Sequence, residues 1–253
     1  MTTRNEIESR PNGRRVLRAA VTATATAAAL VTALTACGSG DSSAPASAGG
    51  GAATVSVPAA APLHPADYVL VAGPATSGYS MEDNTDTTES SVFQDPVPTC
   101  MHLSSADLGP ASTDHANGPV FSDDDGTTIQ SGARVFASAD TVTAHRALTQ
   151  RPDFPGCVGE AIVSQLSNRD REETTVTVKS AQAGTPPTGA TALTRLDLAV
   201  SSDGQSLEAN VDLVSVFAGR VESVILIVSP AGPVDDGELN GLTGQVLATL
   251  AKQ

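Results

Sequence analysis

The chain has 253 residues, with 14 Lys plus Arg against 28 Asp plus Glu, a formal net charge of −14 and a pI near 4.5. That balance excludes nucleic acid as a partner, because neutralising phosphates needs clustered cations. Aromatic residues are only 3% of the chain and Trp is absent, so any core rests mainly on Val, Leu, Ile and Ala.

Residues 1–36 read as a secretory signal. Arg4, Arg10, Arg14, Arg15 and Arg18 form a positive start, and Ala19–Leu34 follows without a charge. The stretch ends in Leu34-Thr35-Ala36-Cys37-Gly38-Ser39, which resembles the bacterial lipobox. There a thiol carries the lipid, and small neighbours fit the signal peptidase. The competing reading is a transmembrane anchor, but Ala19–Ala36 is at the short edge for a span of about 20 residues and is diluted with Thr and Ala. Arg14-Arg15-Val16-Leu17-Arg18 loosely resembles a twin-arginine export signal. The signal's five Arg and two Glu carry +3, which leaves −17 of the whole chain's −14 on the mature part. Anionic lipid head groups repel such a surface, so acyl chains on Cys37 are what would hold it to the cell membrane.

Residues 37–62 are a tether of Gly, Ala, Ser and Pro with one charge, Asp41. The run Gly38–Ala61 has a root-mean-square reach of about 27 Å and a stretched limit of about 80 Å. Residues 63–253 then form one extracytoplasmic domain of ordinary size.

Within it, Asp67–Val71 is a candidate strand, and Ala72–Gly118 is polar and turn-rich. Thr127–Ser138 alternates as a strand, and Asp140–Gln150 follows as a short helix with Val142, Ala144, Ala147 and Leu148 apolar. Pro155–Leu166 reads as a second helix with Cys157, Ala161, Ile162 and Leu166 inward, and Thr174–Ser180 and Ala192–Val200 as strands. Leu207, Ala209, Val211 and Leu213 alternate with Glu208, Asn210 and Asp212, giving a strand to Phe217 with one dry and one wet face. Ala218-Gly219 turns it into Arg220–Ser229, a hairpin. Asp235 and Glu238 form a capping box for a last helix whose Leu239, Leu242, Val246, Leu247 and Leu250 share a face. The fold class expected is α+β, an antiparallel sheet with helices packed on one side.

Several pieces in this order resemble actinobacterial lipoproteins with a sensor domain similar to the extracellular domain of PknH-type mycobacterial serine/threonine kinases. They are Cys100-Met101, the run Gly132–Ser138, Cys157 after Phe154, the Ala218–Val224 turn and the terminal helix. The resemblance implies a cleft that takes an unidentified ligand. Of that kinase domain's two disulfides, this chain can match one.

Cys100 and Cys157 remain once Cys37 is lipidated, and outside the membrane an even pair reads as a disulfide. The alternative is a thiol site, though no C-x-x-C occurs. His64, His102, His115 and His145 show no metal-ligand spacing and read as isolated surface residues. Asp123-Asp124-Asp125-Gly126 departs from the calcium-loop pattern at Phe121 and reads as a turn between strands. Glu172-Glu173 beside Arg169 and Arg171 reads as a solvated turn. Neither G-x-S-x-G nor S-x-x-K is present. No catalytic, cofactor or metal residue is assigned. The function expected is a non-catalytic lipoprotein, anchored through Cys37, that binds or senses a cell-envelope ligand. The alternatives are an assembly partner for another envelope protein, or a lipid carrier.

Overall fold

The computed structural model describes residues 62–89, 93, 96–169, 175–202 and 205–252. The signal, Cys37, nearly all of the tether and the Glu172-Glu173 turn lie outside them. Eight strands make one antiparallel sheet: β1 (Ser80–Glu82), β2 (Asp114–Asn117), β3 (Val120–Ser122), β4 (Thr128–Val135), β5 (Thr175–Gly184), β6 (Ala192–Ser202), β7 (Gln205–Ala218) and β8 (Val221–Ser229). The order across the sheet is β1-β3-β4-β8-β7-β6-β5, with β2 also paired to β4. The helices are α1 (Val97–Cys100), α2 (Ser105–Leu108), α3 (Ala139–Thr149), α4 (Phe154–Arg169) and α5 (Asp236–Leu250).

The α+β class and the antiparallel sheet are as expected, but the helices are divided between both faces. On one face, Leu193, Val214, Ile225, Ile227 and Ile129 pack under Leu239, Leu242, Val246 and Leu250 of α5. On the other, Leu196, Leu198, Val211, Leu213 and Val224 pack under α1 and α4. This corrects the expected dry and wet faces of β7. The α4 side takes Val211 and Leu213, while Asp212 on the α5 side is buried too, held by Arg195 Nε at 2.9 Å. Only the far end of β7 is wet on both faces, with Leu207 58% exposed.

β7 and β8 form the expected hairpin, closed by the two-residue turn Gly219-Arg220 with Gly219 at φ +54°. The terminal helix starts at Asp235, whose Oδ1 accepts from the Gly237 and Glu238 amides at 2.8 and 3.0 Å. Glu238 does not reach back to complete a capping box; its carboxylate takes the Tyr79 hydroxyl instead. Burial and that bond both raise the Tyr79 pKa. Burying the four inward side chains of α5 contributes about 1.5–3 kcal/mol each. Thr243, on the same helix, is also fully buried.

Asp67–Val71 is not a strand. Pro65 sets the backbone for a 3-10 turn, Pro65–Tyr68, and Val69 and Leu70 tuck into the core beneath α5. Cys100 and Cys157 are joined, Cα to Cα 5.5 Å, tying α1 to the first turn of α4 across a sequence separation of 57. Closing a loop of that length in the unfolded chain is worth about 4 kcal/mol in the chain-entropy description.

Candidate functional site

Arg134 on β4 and Glu222 on β8 stand directly opposite each other in the ladder, on the α3–α4 side of the sheet. Glu222 is fully buried, and Arg134 Nη2 donates to its Oε1 at 2.7 Å. The second carboxylate oxygen faces His145 Nδ1 at 2.9 Å. His145 comes from the middle of α3, whose true inner face is Thr141, Val142, His145 and Thr149, with Ala144 and Ala147 exposed. The other ring nitrogen, Nε2, lies 2.9 Å from the Leu108 carbonyl. That carbonyl ends α2, and Gly109 at φ +69° lets the chain leave the helix there. A carboxylate and a carbonyl can only accept, and each ring nitrogen of His145 faces one of them.

Burial alone would push the Glu222 carboxyl up. The charge of Arg134 and the hydrogen bond from His145 outweigh it and hold the group below the ordinary glutamate range. A second carboxylate completes the balance. Arg134 Nη1 donates to Glu89 Oε1 at 3.0 Å, and Ser112 Oγ donates to the same oxygen at 2.8 Å. These bonds hold the Glu89 carboxyl down against its partial burial. Arg134, His145 and two carboxylates thus share one site. Aromatic rings enclose it. Phe93 lies 4.7 Å from the His145 ring, Phe136 meets that ring edge-on at 5.2 Å, and the Arg134 guanidinium sits 5.0 Å from the Phe136 centroid.

This cluster forms one wall of a cavity of about 310 Å³, lined also by Leu108, Pro110, Ala111 and Ser112. That is the lower end of the size range of ligand pockets. A larger cavity of about 700 Å³ lies where the chain enters the domain, between Leu63, Tyr68, Arg220 and Thr249. No fully buried charge faces it.

The residues singled out from the sequence are scattered relative to this site. The bonded pair Cys100–Cys157 lies beside it, and Phe93 bridges the two by packing on Phe154 as well as His145. His145 is the exception to the surface reading of the histidines, at 3% exposure. His115 is exposed, its Nε2 3.1 Å from the Thr87 carbonyl. Asp123–Gly126 is the β3–β4 turn: Asp123 Oδ1 accepts from the Thr127 amide at 2.7 Å, and Gly126 takes φ +90°. Among the described residues no group of three or more His, Cys, Asp or Glu converges as metal ligands would.

No family model and no curated protein matches the chain. Among solved structures it is similar to cyanobacterial PsbP (CyanoP) from Synechocystis sp. PCC 6803, with a TM-score of 0.36 and 11% identity, covering 70% of this chain and 80% of that one. It is also similar to the extracellular domain of PknH from Mycobacterium tuberculosis, with a TM-score of 0.31 and 10% identity, covering 64% of this chain and 94% of that one.

Proposed function

We propose that this chain is a lipid-anchored, extracytoplasmic, non-catalytic binding module, held to the cell membrane through Cys37, with its ligand site in the cleft beside Arg134 and His145. The observation that carries the reading is the buried charge cluster in the cleft wall. Taking the Arg134–Glu222 ion pair out of water is expensive, and apolar side chains of similar size would stabilise the domain as well or better. Such a cluster at the wall of a cavity fits recognition of a polar ligand. The anchoring follows from the lipobox-like residues around Cys37 and from the Cys100–Cys157 bond, which persists in an oxidising compartment. The test is native mass spectrometry of the lipoprotein extracted from its membrane, beside an Ala111→Trp variant that fills the cleft and leaves the charges in place. The expected result is a retained small mass in the parent that the variant lacks. Parent and variant both carrying acyl chains alone would refute the binding reading.

A further inference from the structure

We propose that the cleft is a carboxylate site occupied by the chain's own Glu89, and that its ligand is a small monocarboxylic acid that displaces Glu89 from Arg134 and Ser112. This deepens the ligand-binding reading above and rests on it.

The two carboxylates on Arg134 are not equivalent. Glu222 is fully enclosed, fixed in the centre of β8 and shared with His145. Glu89 is a third exposed and comes from the irregular stretch 83–89. That stretch is fastened through its backbone. Asn117 Nδ2 donates to the Asp86 and Thr88 carbonyls at 2.9 and 2.8 Å, and His115 meets the Thr87 carbonyl. The Glu89 side chain can therefore leave the cleft while the backbone that carries it stays in place.

What it would leave behind has the chemistry of a carboxylate receptor. Arg134 Nη1 and Ser112 Oγ converge on one point, the position now held by Glu89 Oε1. Arg134 is 93% buried, since only 7% of it is exposed, and its Nε has no hydrogen-bond partner among the described residues. Charge fixes the valence of the ligand. With Glu89 withdrawn, Arg134 Nη1 loses a singly charged partner, and a single carboxylate restores that charge. A dianion overshoots, and a neutral molecule leaves that charge unreplaced. The remaining walls, Phe93, Phe136, Leu108 and Pro110, are apolar, and about 310 Å³ admits a compact apolar body behind the carboxylate.

The test is calorimetric titration of the full lipoprotein in neutral detergent with benzoate, and with benzamide as its uncharged isostere. Glu89→Gln keeps the size of the plug and removes its charge. It should bind benzoate at least about tenfold tighter than the parent, as expected for gaining a hydrogen bond between charged partners that the parent must first break. Benzamide should not gain. Ser112→Ala in the same background should weaken benzoate several-fold. If Glu89→Gln fails to fold, the parent still decides the matter, because weak benzoate binding should vanish in Ala111→Trp. Equal benzoate affinity in the parent and Glu89→Gln, or equal gain for benzamide, overturns the proposal. If neither probe binds but the extracted parent retains a ligand that Ala111→Trp lacks, the carboxylate class is wrong and the cleft remains a binding site. If that ligand is missing too, both readings fall.

Discussion

Glu222→Gln keeps the shape of a fully buried side chain and removes the charge that lies between Arg134 Nη2 at 2.7 Å and His145 Nδ1 at 2.9 Å. Arg134 and His145 are themselves buried, so neither can turn to water for compensation. The amide either turns its N–H against the Arg134 donor or offers the guanidinium only a neutral acceptor. Breaking a buried ion pair from one side costs about 3–5 kcal/mol, a large part of the roughly 5–15 kcal/mol that holds a domain folded. For a domain of this size the melting temperature should fall by about 6–20 °C. The assay is calorimetry with urea titration followed by circular dichroism, as the chain has no Trp to serve as a fluorescent reporter. The pH dependence supplies a second reading. The Glu222 carboxyl titrates below its ordinary value of 4.5 in the folded state, so on acidification the unfolded chain binds its proton first. Its contribution is therefore complete above about pH 4.5 and is lost as pH falls through the folded value. Glu222→Gln should flatten that part of the acid limb. A loss below about 1 kcal/mol at pH 7 with an unchanged acid limb would refute Glu222 as the buried carboxylate that balances Arg134.

Two further outcomes are expected. Leu242 on α5 is fully buried against the sheet, so Leu242→Ala should cost about 2–5 kcal/mol, and Leu242→Asp, which adds an unpaired buried charge, should prevent folding, as circular dichroism would report. Cys37→Ala should leave the precursor unprocessed or release the protein from the membrane fraction; mature protein that still sediments with membranes would overturn the anchor.

The elements were most legible where the pattern is local. The apolar spacing of α5 with Asp235 ahead of it, and the alternation through Ala218-Gly219 into Arg220–Ser229, mark real elements because each is specified within a few residues. The two-sided covering of the sheet was not legible from β7 alone. Asp212 looks wet in the alternation, and its pairing depends on Arg195, directly opposite it in β6. Asp67–Val71 is not a strand because burial of Tyr68, Val69 and Leu70 comes from packing in the core beneath α5 and not from ladder pairing. The site was hidden for the same reason. His145 sits 77 residues from Glu222, so no spacing rule links them. A signal did exist: Gly132–Ser138 and Val221–Leu226 each set one charge within a mostly apolar run, at Arg134 and Glu222. Two opposite charges in strands that both read as buried are a reason to pair those strands.

The sheet order also sets when the cleft can come into being. β5 to β8 follow one another in sequence and zip together through short connections, whereas β4 must wait for β8 before its inner edge is satisfied. Arg134 and Glu222 are 88 residues apart, and closing contacts at that range is the slow part of folding for a sheet. A chain emerging amino terminus first therefore carries Arg134 and His145 for a long stretch with no counter-ion from β8. The charge pairing behind the cleft wall is completed in one step by a strand near the carboxyl end, and a truncation that removes only β8 and α5 takes Glu222 from Arg134 and His145 although the visible lining lies entirely between Glu89 and His145.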